Sequence, residues 1–181
     1  GAHRELARCG ASGGERNRTL ETIAGEYPGE PEAVTGEIPF SSEWKWSALT
    51  FNGGGESESL VLGAPDLLVD SGALTLTGPM QTRLDAETAI GRRVVVLGRT
   101  TSPLPGEGPD GPPAGLEPVA LVVLEENLRP GVAETLELMR SEEVDLKLIS
   151  GDAKATVTSV AKSVGLPEDA GVIEGHELPE D

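Results

Sequence analysis

The chain has 181 residues, a formal charge of −17 and 37% apolar residues, which is length and apolar content enough to bury a core. So acidic a surface excludes nucleic acid as a partner, because a phosphate backbone calls for a cationic face. The single cysteine, Cys9, cannot form an internal disulfide, Cys and His do not cluster at metal-ligand spacing, and no stretch reaches the roughly 20 apolar residues of a membrane span, so a reducing, cytosolic setting is expected.

In chain order, residues 1–17, with Gly13-Gly14 and scattered charge, read as a tether, and Thr19–Ala24 as a short helix. After a Pro/Gly/Glu loop from Pro28 to Gly36, Lys45–Phe51 alternates as a strand. Asn52-Gly-Gly-Gly55 is a turn and Ser59–Leu62 a second strand, so the pair is predicted to form an antiparallel hairpin. Met80–Ile90 reads as helix, Arg93–Leu97 as a β-branched strand, and Thr101–Gly115 as a Pro/Gly linker.

Beyond the linker the pattern changes to strand (Val119–Leu124), helix (Arg129 to Glu143), strand (Leu146–Ile149), helix (Ala153–Val164) and a short strand at Gly171–Ile173. Strands alternating with helices predict parallel, right-handed βαβ pairing. The expected fold class is therefore α/β in two parts: a mixed α+β domain with an antiparallel sheet over 18–115, and a partial Rossmann-like segment over 116–181. Two consecutive parallel strands with two helices do not complete such a sheet.

Two places carry chemistry. Asp145–Asp152 followed by Ala153–Gly165 is an apolar strand ending in Ser150-Gly151-Asp152, then a helix with Val157, Val160, Ala161 and Val164 at helical spacing. Such a strand-loop-helix brings a hydroxyl, backbone N–H groups and a carboxylate to one sheet end, as at a phosphate site; the alternative is an ordinary capped βα turn. Phe40 follows Pro39 and precedes two serines in a chain with only 3% aromatics, and Lys45 opens the next strand. Together they offer a flat surface to a purine and an ammonium to a phosphate; the alternatives are a core Phe and a solvated strand-edge lysine. Trp44 and Trp46 read as packing residues.

Five short segments in order, Phe40-Ser-Ser-Glu-Trp-Lys45, Leu62-Gly-Ala-Pro-Asp66, Gly91-Arg-Arg-Val94, Glu126-Asn-Leu-Arg-Pro130 and Ser150-Gly-Asp152, resemble the P-type (E1–E2) cation-transporting ATPases between their phosphorylation and hinge motifs. The resemblance runs from about Thr19 to the end, and bacterial calcium/magnesium-type pumps are the nearest subclass. It implies a nucleotide-binding domain followed by a partial phosphorylation domain of haloacid-dehalogenase type. It also implies ATP and Mg²⁺ as cofactors, with the remainder of a parent pump (actuator, phosphorylation and membrane domains) as partner. The segment would lie on the cytoplasmic side of the plasma membrane without touching the bilayer itself.

On the same resemblance, Phe40, Lys45, Gly63, Arg93 and Glu21 would bind nucleotide: Phe40 stacking on adenine, Arg93 reaching the phosphates with a planar charged fork, Glu21 the adenine amino group. Arg93 also reads as a surface arginine pairing with local acids. Ser150 and Gly151 would touch the transferred phosphoryl group, and Asp152, Glu126 and Arg129 would serve hinge and interdomain contacts. The chain departs from the family at Leu62, where lysine is common, and carries Glu126 for Asp and Ser150 for Thr. The family's phosphorylated aspartate, in Asp-Lys-Thr-Gly, and its magnesium-binding Gly-Asp-Gly are not among these residues. Val69-Asp-Ser-Gly72 is a superficial mimic, and Asp70 reads as a loop aspartate. The expected function is ATP binding that positions the γ-phosphate for an aspartate elsewhere in a parent enzyme, with no catalytic residue or metal site in this chain. The alternatives are a stand-alone nucleotide-binding regulatory module and a soluble haloacid-dehalogenase-type phosphatase, whose Asp-x-Asp motif is missing here.

Overall fold

The computed structural model describes residues 1–14, 17–53, 56–102, 104, 111–125, 130–149, 154–166, 171 and 173. The chain divides into two units, Gly1–Leu84 with Val94–Leu124, and Asp85–Arg93 with Glu125–Asp181.

Period-two alternation organises the first unit. Strands β1 (Val34–Ile38), β2 (Trp46–Gly53), β3 (Glu56–Gly63), β4 (Arg93–Thr100) and β5 (Glu117–Leu124) lie in that order in one antiparallel sheet. The β2–β3 register pairs Trp46 with Gly63 and Phe51 with Glu58, so the predicted hairpin forms. Side chains on alternate positions go to opposite faces. Leu49, Phe51, Leu60, Leu62, Val95 and Leu97 fill one buried cluster, and Trp46, Ala48, Val61 and Val96 another. Strand β4, flanked by β3 and β5, is buried on both faces, which explains its run of Val94, Val95 and Val96.

Helices α1 (Ala2–Ser12) and α2 (Arg18–Glu26) cover the first face with Leu6, Cys9, Leu20 and Ile23. The segment expected as a tether is therefore a wall of the core; burying Leu6 alone is worth about 1.5–3 kcal/mol. The two helices touch closely at Gly10, where a Cβ would stand 2.9 Å from the Ala24 backbone. Asn17 caps α2 by accepting from the Leu20 N–H at 2.9 Å, a bond worth about 1 kcal/mol. The second face is closed by α3 (Pro65–Asp70) with Leu68, and by Ala73, Leu74 and Leu116. Asp70, expected in a loop, is the exposed last residue of α3.

One cation ties this unit together. Arg8 donates to Glu5 at 2.6 Å, Glu58 at 2.7 Å and Glu32 at 3.0 Å, and lies 4.4 Å above the Phe51 ring. Burial on its own lowers the Arg8 pKa, but the bonds to Glu58 and Glu5 outweigh it and hold the guanidinium charged above its ordinary range. Arg99 extends the chain of charges, 3.7 Å from Glu58 and bonded to Glu117 on β5 at 2.9 Å.

Two expectations are corrected by β5. Thr101–Gly115 does not separate two domains; it connects neighbouring strands of one sheet, with Leu104 packed against the second cluster. Val119–Leu124 likewise completes the antiparallel sheet rather than opening a parallel one.

In the second unit, α5 (Val132–Ser141) and α6 (Lys154–Ser163) form where helices were expected, and the Arg140 guanidinium donates to the Gly165 carbonyl at 2.6 Å. The end of α4 (Gly78–Ala89) also belongs here. Leu146–Ile149 is not a strand, and Ile149 is 95% exposed: among the described residues this apolar run has no neighbouring strand to pair with. Neither Gly171 nor Ile173 is in a strand. Among the described residues no helix is long and apolar enough to cross a membrane.

Candidate functional site

The chain leaves β1 through Pro39 and turns at once. The Lys45 N–H donates to the Ser41 carbonyl at 2.8 Å, the Glu43 N–H to Ser41 Oγ at 3.1 Å, and Trp44 Nε1 to the Pro39 carbonyl at 3.4 Å. The turn closes at Lys45, whose φ of 54° is a left-handed conformation that a side chain makes costly. It leaves Phe40 at 41% exposure, the most exposed large apolar side chain of the first unit, so the core-Phe alternative does not hold.

The next turn arrives beside it through β2–β3 pairing. Gly63 lies opposite Trp46, and the Ala64 N–H donates to the Lys45 carbonyl at 3.1 Å. Lys45 Nζ lies 4.0 Å from Asp66 Oδ2 with both side chains exposed, a contact that leaves the ammonium free to reorient. Sheet pairing thus brings Phe40, Lys45 and Gly63 to one end of the sheet. Trp46 is fully buried, its Nε1 without a hydrogen-bond partner among the described residues, and Trp44 packs against the same cluster, as packing residues should.

Beside Phe40 a small depression with room for about one water opens to solvent, lined by the buried Cys9, Leu20, Leu49 and Leu60, with Glu37 and Ser47 as polar members. Leu62, at the position where lysine was expected, is buried on this same sheet face in the cluster of Leu49 and Leu60. Burial there holds the Cys9 thiol protonated, its pKa pushed up to about 12. Glu21 is exposed on α2 and does not line this depression; its neighbour Leu20 does.

Arg93 belongs to the second unit and is exposed at the start of β4. The pairing with local acids falls instead to Arg92, which bonds Glu87 at 2.8 Å and Glu125 at 3.1 Å. The Glu87 hydrogen bond is the main reason its pKa is raised. Glu126, Arg129, Ser150, Gly151 and Asp152 lie outside the described residues. Reading the sequence by itself missed Glu37 and Ser47. Their signal was the alternation of β2 with Leu49 and Phe51, which becomes usable only once β1 is paired to it.

No protein-family profile matches the chain. Among curated proteins it is 34% identical over 176 residues to the calcium-transporting ATPase CtpE of Mycolicibacterium smegmatis, covering 97% of this chain and 21% of that one. It is 33% identical over 155 residues to the probable cation-transporting ATPase exp7 of Streptococcus pneumoniae, covering 85% and 18% respectively. The chain thus spans about a fifth of the length of these relatives. Among solved structures, a zinc-transporting PIB-type ATPase in the E2.Pi state superposes with a TM-score of 0.56 at 12% identity, over 91% of this chain and 23% of that one. At that identity the likeness is one of fold.

Proposed function

From a chain homologous to a segment of the P-type cation-transporting ATPases, we propose a role in holding ATP and presenting its γ-phosphate to an aspartate that lies outside these residues. The observation that carries this reading is the meeting of two turns: the Lys45 carbonyl accepts from the Ala64 N–H, so the exposed Phe40 ring, the Lys45 ammonium and the Gly63 backbone share one sheet end.

In this proposal adenine stacks on the exposed ring of Phe40, and Lys45 turns toward the phosphates. Phosphoryl transfer asks a protein chiefly for positioning and charge neutralisation, and this segment supplies positioning. Arg93 would add charge at the phosphates, Ser150 and Gly151 would meet the transferred group, and Asp152, Glu126 and Arg129 would serve the hinge; these roles rest on the family resemblance. Among the described residues no group of three or more His, Cys, Asp or Glu side chains is placed to hold a metal ion. Cation transport, the membrane setting with this segment on the cytoplasmic side, and contact with the actuator, phosphorylation and membrane domains belong to the proposed parent.

The test is an NMR titration of the full chain with ATP at millimolar concentration. Shifts at Phe40, Lys45 and Arg93 are expected, and their absence overturns the reading.

A further inference from the structure

The two turns that meet at this end of the sheet carry unequal charge. Residues 40–45 and 63–70 hold three carboxylates, Glu43, Asp66 and Asp70, against the one ammonium of Lys45. Leu62, where the family resemblance called for lysine, is buried and adds no cation. Backbone geometry decides which carboxylate the ammonium meets. Lys45 is held in a left-handed conformation, and its carbonyl accepts from the Ala64 N–H at 3.1 Å. Pro65 and Asp66 then open α3, which brings the Asp66 carboxylate to 4.0 Å from Lys45 Nζ. Among the described residues it is the one carboxylate paired with Lys45.

We infer that Asp66 is a displaceable counter-ion for Lys45, competing with nucleotide phosphates for the ammonium and so lowering the affinity for ATP; this rests on the nucleotide site proposed above. A lysine ammonium is a compact charge on a flexible stem and can turn from one anion to another. The side chains of the pair are 57% and 65% exposed, so the contact is worth little and a triphosphate can break it. The partner's place is nonetheless set. The Ala64–Lys45 bond and the pairing of Trp46 with Gly63 keep the two side chains within reach, so Lys45 returns to Asp66 when the nucleotide leaves. Asp66 thus acts on the ligand through Lys45, as a positioning residue. A carboxylate in the first turn also favours α3 itself, so a change in stability alone does not report the pairing. Glu43 and Asp70 bear the same charge without the contact, and they separate pairing from the general field of an acidic surface.

The experiment measures by NMR titration the affinities of the full chain for ATP and for adenosine, which has no phosphate. Asp66→Asn is expected to tighten ATP about two- to fivefold, the scale of one exposed ion pair, while adenosine binds as before. Asp66→Ser, a second uncharged replacement suited to a helix start, does the same, and Asp66→Glu restores the affinity of the intact chain. Glu43→Gln and Asp70→Asn tighten ATP less than Asp66→Asn does. In a Lys45→Gln background, Asp66→Asn brings no gain. ATP affinity that is unchanged or weaker in both uncharged variants overturns the assignment of Asp66 and leaves the nucleotide site standing. An equal gain in Glu43→Gln, or a gain that survives Lys45→Gln, does so as well. An intact chain that does not bind ATP, or binds it without shifts at Phe40 and Lys45, overturns both. An amide NMR spectrum of each variant shows that it is folded.

Discussion

Gly63 and Trp46 face each other across the β2–β3 ladder so closely that a methyl group on residue 63 would lie 2.8 Å from the Trp46 Cβ and 3.2 Å from a Leu68 methyl. The approach lets the turn that follows Gly63 dock on Lys45. Gly63→Ala is expected to lower stability by about 1–3 kcal/mol, the range for forcing a methyl into a packed site. Urea denaturation followed by tryptophan fluorescence measures it.

Lys45 sets stability against ligand contact. Its left-handed φ of 54° costs a non-glycine residue about 1 kcal/mol, so Lys45→Gly is expected to raise the unfolding free energy by about that amount. The same substitution removes the ammonium beside the proposed phosphates and weakens ATP binding. A variant that is both more stable and poorer in ATP affinity bears this out. One that loses stability shows instead that the side chain supports the turn.

Arg8 neutralises Glu5, Glu32 and Glu58 with a side chain only 10% exposed. Arg8→Met leaves carboxylates without their cation and is expected to cost about 3–5 kcal/mol. Arg8→Lys keeps the charge but loses the fork that reaches several acceptors at once, and its loss is smaller. Equilibrium unfolding at two salt concentrations separates the two variants, since salt screens the unpaired carboxylates.

Cys9 gives a pH signature. Its pKa is near 9 when solvated and pushed up to about 12 by burial, so the unfolded chain releases the thiol proton first as pH rises. The stability Cys9 contributes is full below pH 9 and is lost as pH climbs from there toward 12, with a slope approaching about 1.4 kcal/mol per pH unit. Cys9→Ala is expected to remove that part of the alkaline slope in denaturation curves recorded from pH 8 to 11. An unchanged slope excludes the thiol as its source.

The legibility of this fold follows from where its information lies. The hairpin, α2 and α4 are readable because alternation, a Gly-rich turn and a helical period are local signals. Helix α1 is not readable, because Gly10 and Gly13-Gly14 resemble a linker until Gly10 is seen against Ala24. The apolar run of β5 fits a strand buried between two layers in any sheet, so only its partner distinguishes antiparallel from parallel, and that partner is β4. At the candidate site, Phe40 and Lys45 are marked by their residue chemistry as well as by motif resemblance, and Gly63 by the resemblance alone. Glu37 and Ser47 entered through strand register, a property of two segments together that neither carries alone.

The charges around Arg8 join α1, the segment before β1, and strands β3, β4 and β5, which are positions 8, 32, 58, 99 and 117 of the chain. The recognisable sequence motifs begin only at Phe40. A fragment trimmed to them, or even to Thr19, would discard the cation at the hub of that network and uncover Leu49, Phe51 and Leu60. Such a fragment, made to isolate the nucleotide site, would probe an opened sheet instead, and a failure to bind ATP in it would report the trimming rather than the site.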